Sequence, residues 1–82
     1  MNQYQDFKDK LRKGGLRIAI FWEGSGARSR IVFANIQSGK QNRGVNVIFQ
    51  IYDGENGFSM FVEDQEMNID NMAEAMIKRL ND

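Results

Sequence analysis

The pattern of apolar and polar positions begins with a short helical repeat. Residues 3–13 place Tyr4, Phe7 and Leu11 three or four residues apart, which puts them on one side of a helix. Two glycines follow at positions 14 and 15, and glycine is the residue on which helices commonly end. The pattern therefore predicts one short amphipathic helix near the beginning of the sequence.

Four strands are predicted after this helix. Residues 16–23 alternate strictly, with Leu16, Ile18, Ile20 and Trp22 on one side. Three further runs are rich in β-branched and aromatic residues and are bounded by Gly, Asn and Ser: residues 30–37, 45–52 and 57–63. Because the connections are short, consecutive strands are expected to pair as an antiparallel meander.

A second helix is predicted over residues 68–81, with Asn68 as its N-cap. The apolar side of this helix consists of Ile69, Met72, Ala73, Met76 and Leu80. The predicted fold is α+β: a four-stranded antiparallel β-meander flanked by an N-terminal and a C-terminal α-helix, in the order α-β-β-β-β-α. A chain of 82 residues is expected to form a single small domain over residues 1–82.

Both faces of the predicted sheet carry apolar residues. One face is the expected core: Leu16, Ile18, Ile20, Trp22, Val45, Val47, Phe49, Ile51, Phe58, Met60 and Val62. The opposite face still carries Phe21, Ile48, Tyr52 and Phe61, and Phe33 lies on one face or the other. A face in contact with water should be polar. The second face is therefore expected to be covered by the other helix, by a second copy of the chain, or by a ligand.

The composition excludes most ready-made hydrolytic chemistry. The sequence contains no cysteine and no histidine, which removes Cys/His zinc sites, catalytic triads and any imidazole base. The acidic clusters around Asp53 and Glu63 lie in turn-rich segments with no apolar pocket expected beside them. The chain is expected to be no enzyme, to hold no cofactor and no metal, and to have no membrane span. The sequence favours a cytoplasmic location.

The charges are distributed unevenly although the net charge is zero. Residues 1–43 hold nine Lys or Arg against three acids, whereas residues 44–82 hold two against eight. Four of the basic residues lie in two connections: Arg28 and Arg30 in the first, Lys40 and Arg43 in the second. The first connection is no dinucleotide fingerprint, because Ser29 replaces the third glycine and a strand follows. It is interpreted as a hairpin turn with two arginines.

Two functions fit these residues. The first is a non-catalytic module that binds protein, with itself as one candidate partner in a homodimer. Its composition suits a small regulator or inhibitor, such as those made by phages and mobile elements. The candidate contact residues are Phe21, Phe33, Tyr52, Phe61 and Arg17.

The alternative function is binding of single-stranded DNA or RNA. The sheet aromatics would stack on bases, while cations would contact the phosphates: Arg28, Arg30, Lys40 and Arg43. Residues 57–62 resemble the aromatic strand of an RNA-recognition motif. However, Phe58 and Phe61 are expected on opposite faces here, and no helix separates the first two strands, so the chain is not assigned to that family.

Overall fold

The computed structural model describes residues 3–54, 57–63, 65–67 and 71–81. Its elements, in chain order, are α1 (Gln3–Lys13), β1 (Leu16–Ser25), β2 (Ser29–Ser38), β3 (Arg43–Tyr52), β4 (Phe58–Val62), β5 (Gln65–Glu66) and α2 (Met72–Asn81). The strands form one antiparallel sheet in the order β1-β2-β3-β4-β5. The α+β fold with α-β-β-β-β-α order is confirmed, and the two-residue β5 is an addition. Asn68 and Ile69 lie outside the described residues.

Both helices pack against the same side of the sheet, which we call the helix face. Its buried strand residues are Leu16, Val32, Ala34, Ile36, Val45, Val47, Phe49, Phe58, Met60 and Val62. The helices add Tyr4, Phe7, Leu11, Met72, Ala73, Met76 and Leu80 to the same core. At its centre, the ring of Phe49 lies 5.1 Å from Tyr4 and 5.9 Å from Phe7, both in edge-on contact.

The possibility that the two helices cover opposite faces is therefore wrong. α1 is tied closely to β1, since Gly14 N–H donates to Lys10 O (3.0 Å) and Gly15 adopts a left-handed φ of 86°. α2 then lies beside α1, with Ile77 directly against Gly14. The buried residues of both helices belong to one core with the buried residues of the strands. With both helices on one side, the described residues place no helix on the other side of the sheet.

We call this second side the open face. Its residues are Arg17, Ala19, Phe21, Trp22, Gly24, Ile31, Phe33, Asn35, Gln37, Asn46, Ile48, Gln50, Tyr52, Ser59 and Phe61. The placement of Trp22 differs from the prediction, which grouped it with Ile20 on the expected core face. Ile20 pairs with Ala34 and Trp22 pairs with Phe33, so Phe21 is an extra residue in β1. This β-bulge reverses the alternation and turns Trp22 to the open face.

Hydrogen bonds join three elements at one end of the sheet. Ser38 Oγ donates to Asn81 Oδ1 (2.9 Å), and Asn81 Nδ2 donates to Gly14 O (2.9 Å). The last residue of α2 thus connects the end of β2 with the turn between α1 and β1. Among the described residues, neither helix has the length and apolar character needed to span a membrane.

Candidate functional site

A row of apolar side chains crosses the open face from β1 to β4. Trp22 pairs with Phe33, Phe33 with Ile48, and Ile48 with Phe61. Phe21, the extra residue of the bulge, lies beside them with its ring 6.5 Å from that of Phe33. We call these five residues the apolar stripe. It runs at right angles to the strands over about 14 Å, the width of four adjacent strands.

The β1 end of the apolar stripe is strongly exposed. Phe21 is 62% and Trp22 51% exposed, whereas Phe33, Ile48 and Phe61 are half-buried. Phe21, Phe33, Ile48 and Phe61 line a shallow depression of 270 Å³. Small-molecule sites are usually larger, about 300–1,000 Å³, and enclose most of their ligand. The depression is better suited to one or two side chains of a partner surface.

The position of the Trp22 ring depends on a glycine two residues later in the same strand. A Cβ atom on Gly24 would lie 2.8 Å from Cζ2 of Trp22, closer than real Cβ contacts allow. The indole therefore lies across the backbone of Gly24, with its ring 5.1 Å from that of Phe33. Gly24 allows the indole to lie flat on the sheet rather than stand upright.

Polar groups on both sides of the apolar stripe are bonded to one another. On one side, Arg17 Nε donates to Gln37 Oε1 (2.9 Å), and Asn35 Nδ2 donates to Asn46 Oδ1 (3.0 Å). On the other side, the hydroxyl groups of Tyr52 and Ser59 lie 2.9 Å apart and share a hydrogen bond. These bonds pair polar side chains along both margins of the apolar stripe. An ordered polar rim around apolar residues is typical of protein contact surfaces.

The four candidate cations of the connections do not lie together. Arg30 pairs with Ile51 and faces the helix side, where its positive charge lowers the pKa of Tyr4 in α1. Arg28 is in the first hairpin, where its carbonyl accepts a hydrogen bond from Asp53 N–H (3.0 Å). Lys40 and Arg43 lie at the opposite end of the sheet, roughly 30 Å away along the ten-residue strand β2.

One depression at that opposite end is lined by two arginines. Arg17, Gln37, Arg43 and Gly44 contribute to its polar surface, and its volume is 320 Å³. It adjoins the Asn35–Asn46 pair, and so it lies on the same side of the sheet as the apolar stripe. Arg17 is therefore a candidate residue that shares the open face with the apolar stripe.

The first hairpin has little capacity to hold an anion through its backbone. Gly26 N–H donates to Ser29 O at 2.7 Å and so closes the turn itself. The two arginines of this hairpin also diverge, because Arg30 faces the helix side while Arg28 remains in the loop. The interpretation as a turn agrees with this geometry.

The structure defines the surroundings of two titratable groups, Tyr4 and Glu63. Burial raises the pKa of Tyr4. The positive charge of nearby Arg30 opposes this increase, and the negative charge of Glu23 adds to it. Glu63 Oε1 accepts a hydrogen bond from Arg79 Nη2 at 3.4 Å, an exposed ion pair. No three Asp or Glu side chains are grouped as a metal site among the described residues. Glu55 and Asp64 lie outside them.

Two exposed residues of β1 were not identified as candidates from the sequence. Trp22 was assigned to the core by its alternation with Ile20, and Ile20 itself is 47% exposed. A glycine two residues after a tryptophan in a strand was the available signal, because that spacing leaves room for the indole.

Comparison with protein-family models, curated proteins and solved structures finds no match to this chain.

Proposed function

We propose that this protein is a non-catalytic binding module that acts through protein–protein contact on the open face. The observation that carries the proposal is the apolar stripe, whose residues Phe21 and Trp22 are both more than half exposed on the open face. Large exposed apolar patches with a polar rim mark interaction surfaces. Burying these side chains against a partner would remove them from water.

The chemistry of the apolar stripe fits a protein partner. Aromatic side chains contribute much of the binding energy at protein interfaces, especially when a rim of weaker polar contacts surrounds them. Phe21, Trp22 and Phe33 form one connected ring cluster, and the Arg17–Gln37 and Tyr52–Ser59 pairs lie at its margins. A regulator or inhibitor working in the cytoplasm, with no chemistry of its own, is consistent with such a surface.

The test compares a wild-type bait with a variant bait changed at the apolar stripe and with a control bait changed elsewhere. Immobilised wild-type protein, Phe21→Ser/Phe61→Ser and the control Lys78→Ser, on the exposed side of α2, are presented to extract in about 0.1 and 1 M salt. We expect a stoichiometric protein on the wild-type and Lys78→Ser baits at both salt concentrations, because apolar contacts are insensitive to salt. Loss on the double variant supports the proposal. Retention of the same protein by all three baits, or no retention together with a strictly monomeric chain, would refute it.

Binding of single-stranded nucleic acid is the second candidate, favoured by the arginine-lined depression on the same side of the sheet as the apolar stripe. Arg17 and Arg43 would contact phosphates while Phe33 and Phe61 stacked on bases. Anisotropy of a labelled oligonucleotide at low and near-physiological salt tests it, with Arg17→Ala/Arg43→Ala compared against Arg28→Ala/Arg30→Ala. Salt-sensitive binding lost in the first variant and kept in the second would support this candidate. The absence of binding at low salt would refute it.

A further inference from the structure

Three consecutive residues of β1 are the large hydrophobic side chains that the described structure exposes most. They are Ile20, Phe21 and Trp22, at 47%, 62% and 51% exposed. They do not share a face: Ile20 pairs with Ala34 on the helix face, and Trp22 pairs with Phe33 on the open face. A partner lying on either face alone would therefore leave part of this group exposed. Only the outer edge of β1 is adjacent to all three.

This outer edge also presents unpaired backbone groups. β1 is the first strand in the sheet order, and it is ten residues long. In the part of the chain described, β2 is the strand that pairs with it, and it does so on one side. Half of the N–H and C=O groups of a paired edge strand point away from the sheet and can form a second ladder. A long edge with exposed apolar residues on both faces is a site for adding a strand.

We propose that β1 pairs antiparallel with β1 of a second copy, so that two sheets join into one continuous sheet across a two-fold axis. The inference rests on the proposed function, because it names the protein partner of the β1 end of the apolar stripe. A two-fold interface places the same surface of each copy against the other. Ile20 would then be covered on the helix face, and Phe21 and Trp22 on the open face, by the same residues of the partner copy.

The charges along β1 favour this antiparallel arrangement. Arg17 lies near the start of the strand and Glu23 near its end, and both are exposed. Antiparallel pairing about an axis between Ile20 and Phe21 sets Arg17 opposite Gly24 of the other copy, on the open face. It sets Glu23 opposite Ile18 on the helix face, so that no like charges meet. Parallel pairing would set Arg17 beside Arg17 and Glu23 beside Glu23, and like charges on neighbouring strands are destabilising. The net charge of zero adds no overall repulsion between copies.

The other edge of the sheet is built differently. β5 has two residues, and the exposed acids Glu63 and Glu66 lie at this edge. Short strands and charges are the features that keep sheet edges from pairing. An edge-to-edge contact of β1 with β5 of another copy, which would repeat into a filament, is therefore disfavoured. Pairing of β1 with β1 closes after two copies.

The test uses three variants and measures mass by sedimentation equilibrium from roughly 10 µM to 1 mM protein, a range suited to a moderate affinity. Ala19→Lys adds a charge at an exposed small residue of β1, and Ala75→Lys makes the same change at an exposed residue of α2. Phe61→Ser changes the apolar stripe three strands away from the edge, at about 14 Å. Circular dichroism checks that each variant is folded.

We expect wild-type protein, Ala75→Lys and Phe61→Ser to approach twice the chain mass at high concentration, and Ala19→Lys to remain at the mass of one chain. Wild-type protein that stays monomeric up to the highest concentration overturns the inference. So does a dimer that Phe61→Ser abolishes, because that result indicates packing through the open face, or a dimer that Ala19→Lys leaves intact, because that result excludes β1 as the contact. The proposed function fails separately: a monomer that still captures a protein through the apolar stripe refutes the edge dimer alone.

Discussion

Deletion of Phe21 is expected to leave the fold intact, although it removes an aromatic residue from the middle of a strand. Ile20 already pairs with Ala34 and Trp22 already pairs with Phe33, which are adjacent in β2. Without Phe21, Ile20 and Trp22 become neighbours, and every remaining pair keeps its register and its face. A one-residue deletion in a regular strand has the opposite effect, because it turns half of the strand over.

The cost of this deletion follows from what Phe21 buries. The side chain is 62% exposed, so burial of the remainder contributes at most roughly 2 kcal/mol. The deletion also restores a regular ladder opposite Phe33 and Ala34. A backbone hydrogen bond regained there would offset part of the lost burial energy, because one hydrogen bond contributes about 0.5–1.5 kcal/mol to the net stability. The free energy of unfolding should therefore fall by about 2 kcal/mol or less. For 82 residues the total is on the order of 4–12 kcal/mol, so the protein should remain folded.

The matched control is deletion of Ile48 in the central strand β3, between Phe33 and Phe61. That deletion would turn either Val47 or Phe49, at 2% and 0% exposed, out of the core together with its part of the strand. Removing one large core side chain typically costs about 3–5 kcal/mol, so the loss of several should prevent folding. Urea titrations at low protein concentration, followed by circular dichroism and by the fluorescence of Trp22, compare the two deletions.

Two results would refute this reasoning about the bulge. One is a Phe21 deletion that is as unfolded as the Ile48 deletion. The other is a folded Phe21 deletion in which Trp22 emission shifts strongly to the blue, since that would place the indole in the core. Either result would mean that the register between β1 and β2 is not set by the pairs on both sides of Phe21.

Three further changes test the core and its supports. Phe49→Ala should lower the free energy of unfolding by about 3–5 kcal/mol in urea titrations, because Phe49 is fully buried; a loss under 1 kcal/mol would contradict the packing. Burial raises the folded-state pKa of Tyr4 above its ordinary value of 10.0, so its contribution to stability is intact below pH 10 and declines above it. Tyr4→Phe should make the alkaline loss of stability shallower, and an unchanged pH profile would argue against burial of the phenol. Asn81→Ala removes two hydrogen bonds, to Ser38 and to the Gly14 carbonyl, and should cost about 1–3 kcal/mol by thermal unfolding; a neutral effect would show that the bonds are dispensable.

The helices and strands could be predicted from the sequence because each repeats a simple spacing. The spacing of Tyr4, Phe7 and Leu11 identified α1, and all three are buried. The β-branched runs identified β2 and β3, and short connections predicted their antiparallel order. The opposite orientations of Phe58 and Phe61 also followed from alternation, since one is buried in the core and the other lies on the open face.

The composition of the open face was harder to predict because it depends on two features without a local signal. A bulge leaves the composition of a strand unchanged, and yet the extra residue Phe21 reverses the side of Trp22. The placement of the helices depends on tertiary packing. The apolar side of α2 could have covered either side of the sheet, because both sides carry apolar residues. Phe33 could not be assigned to a face until its pairing with Trp22 and Ile48 was known.

Placing both helices on one side separates the residues that maintain the fold from those available for contact. Phe49 and Ile48 are adjacent in β3, but the first is enclosed in the core while the second lies in the apolar stripe. Substitutions at alternate strand positions should therefore fall into two classes in a mutational scan, one limiting the amount of folded protein and the other changing its partners. A chain arranged in this way can acquire new specificities by substitution on one side of its sheet while the other side keeps the scaffold constant.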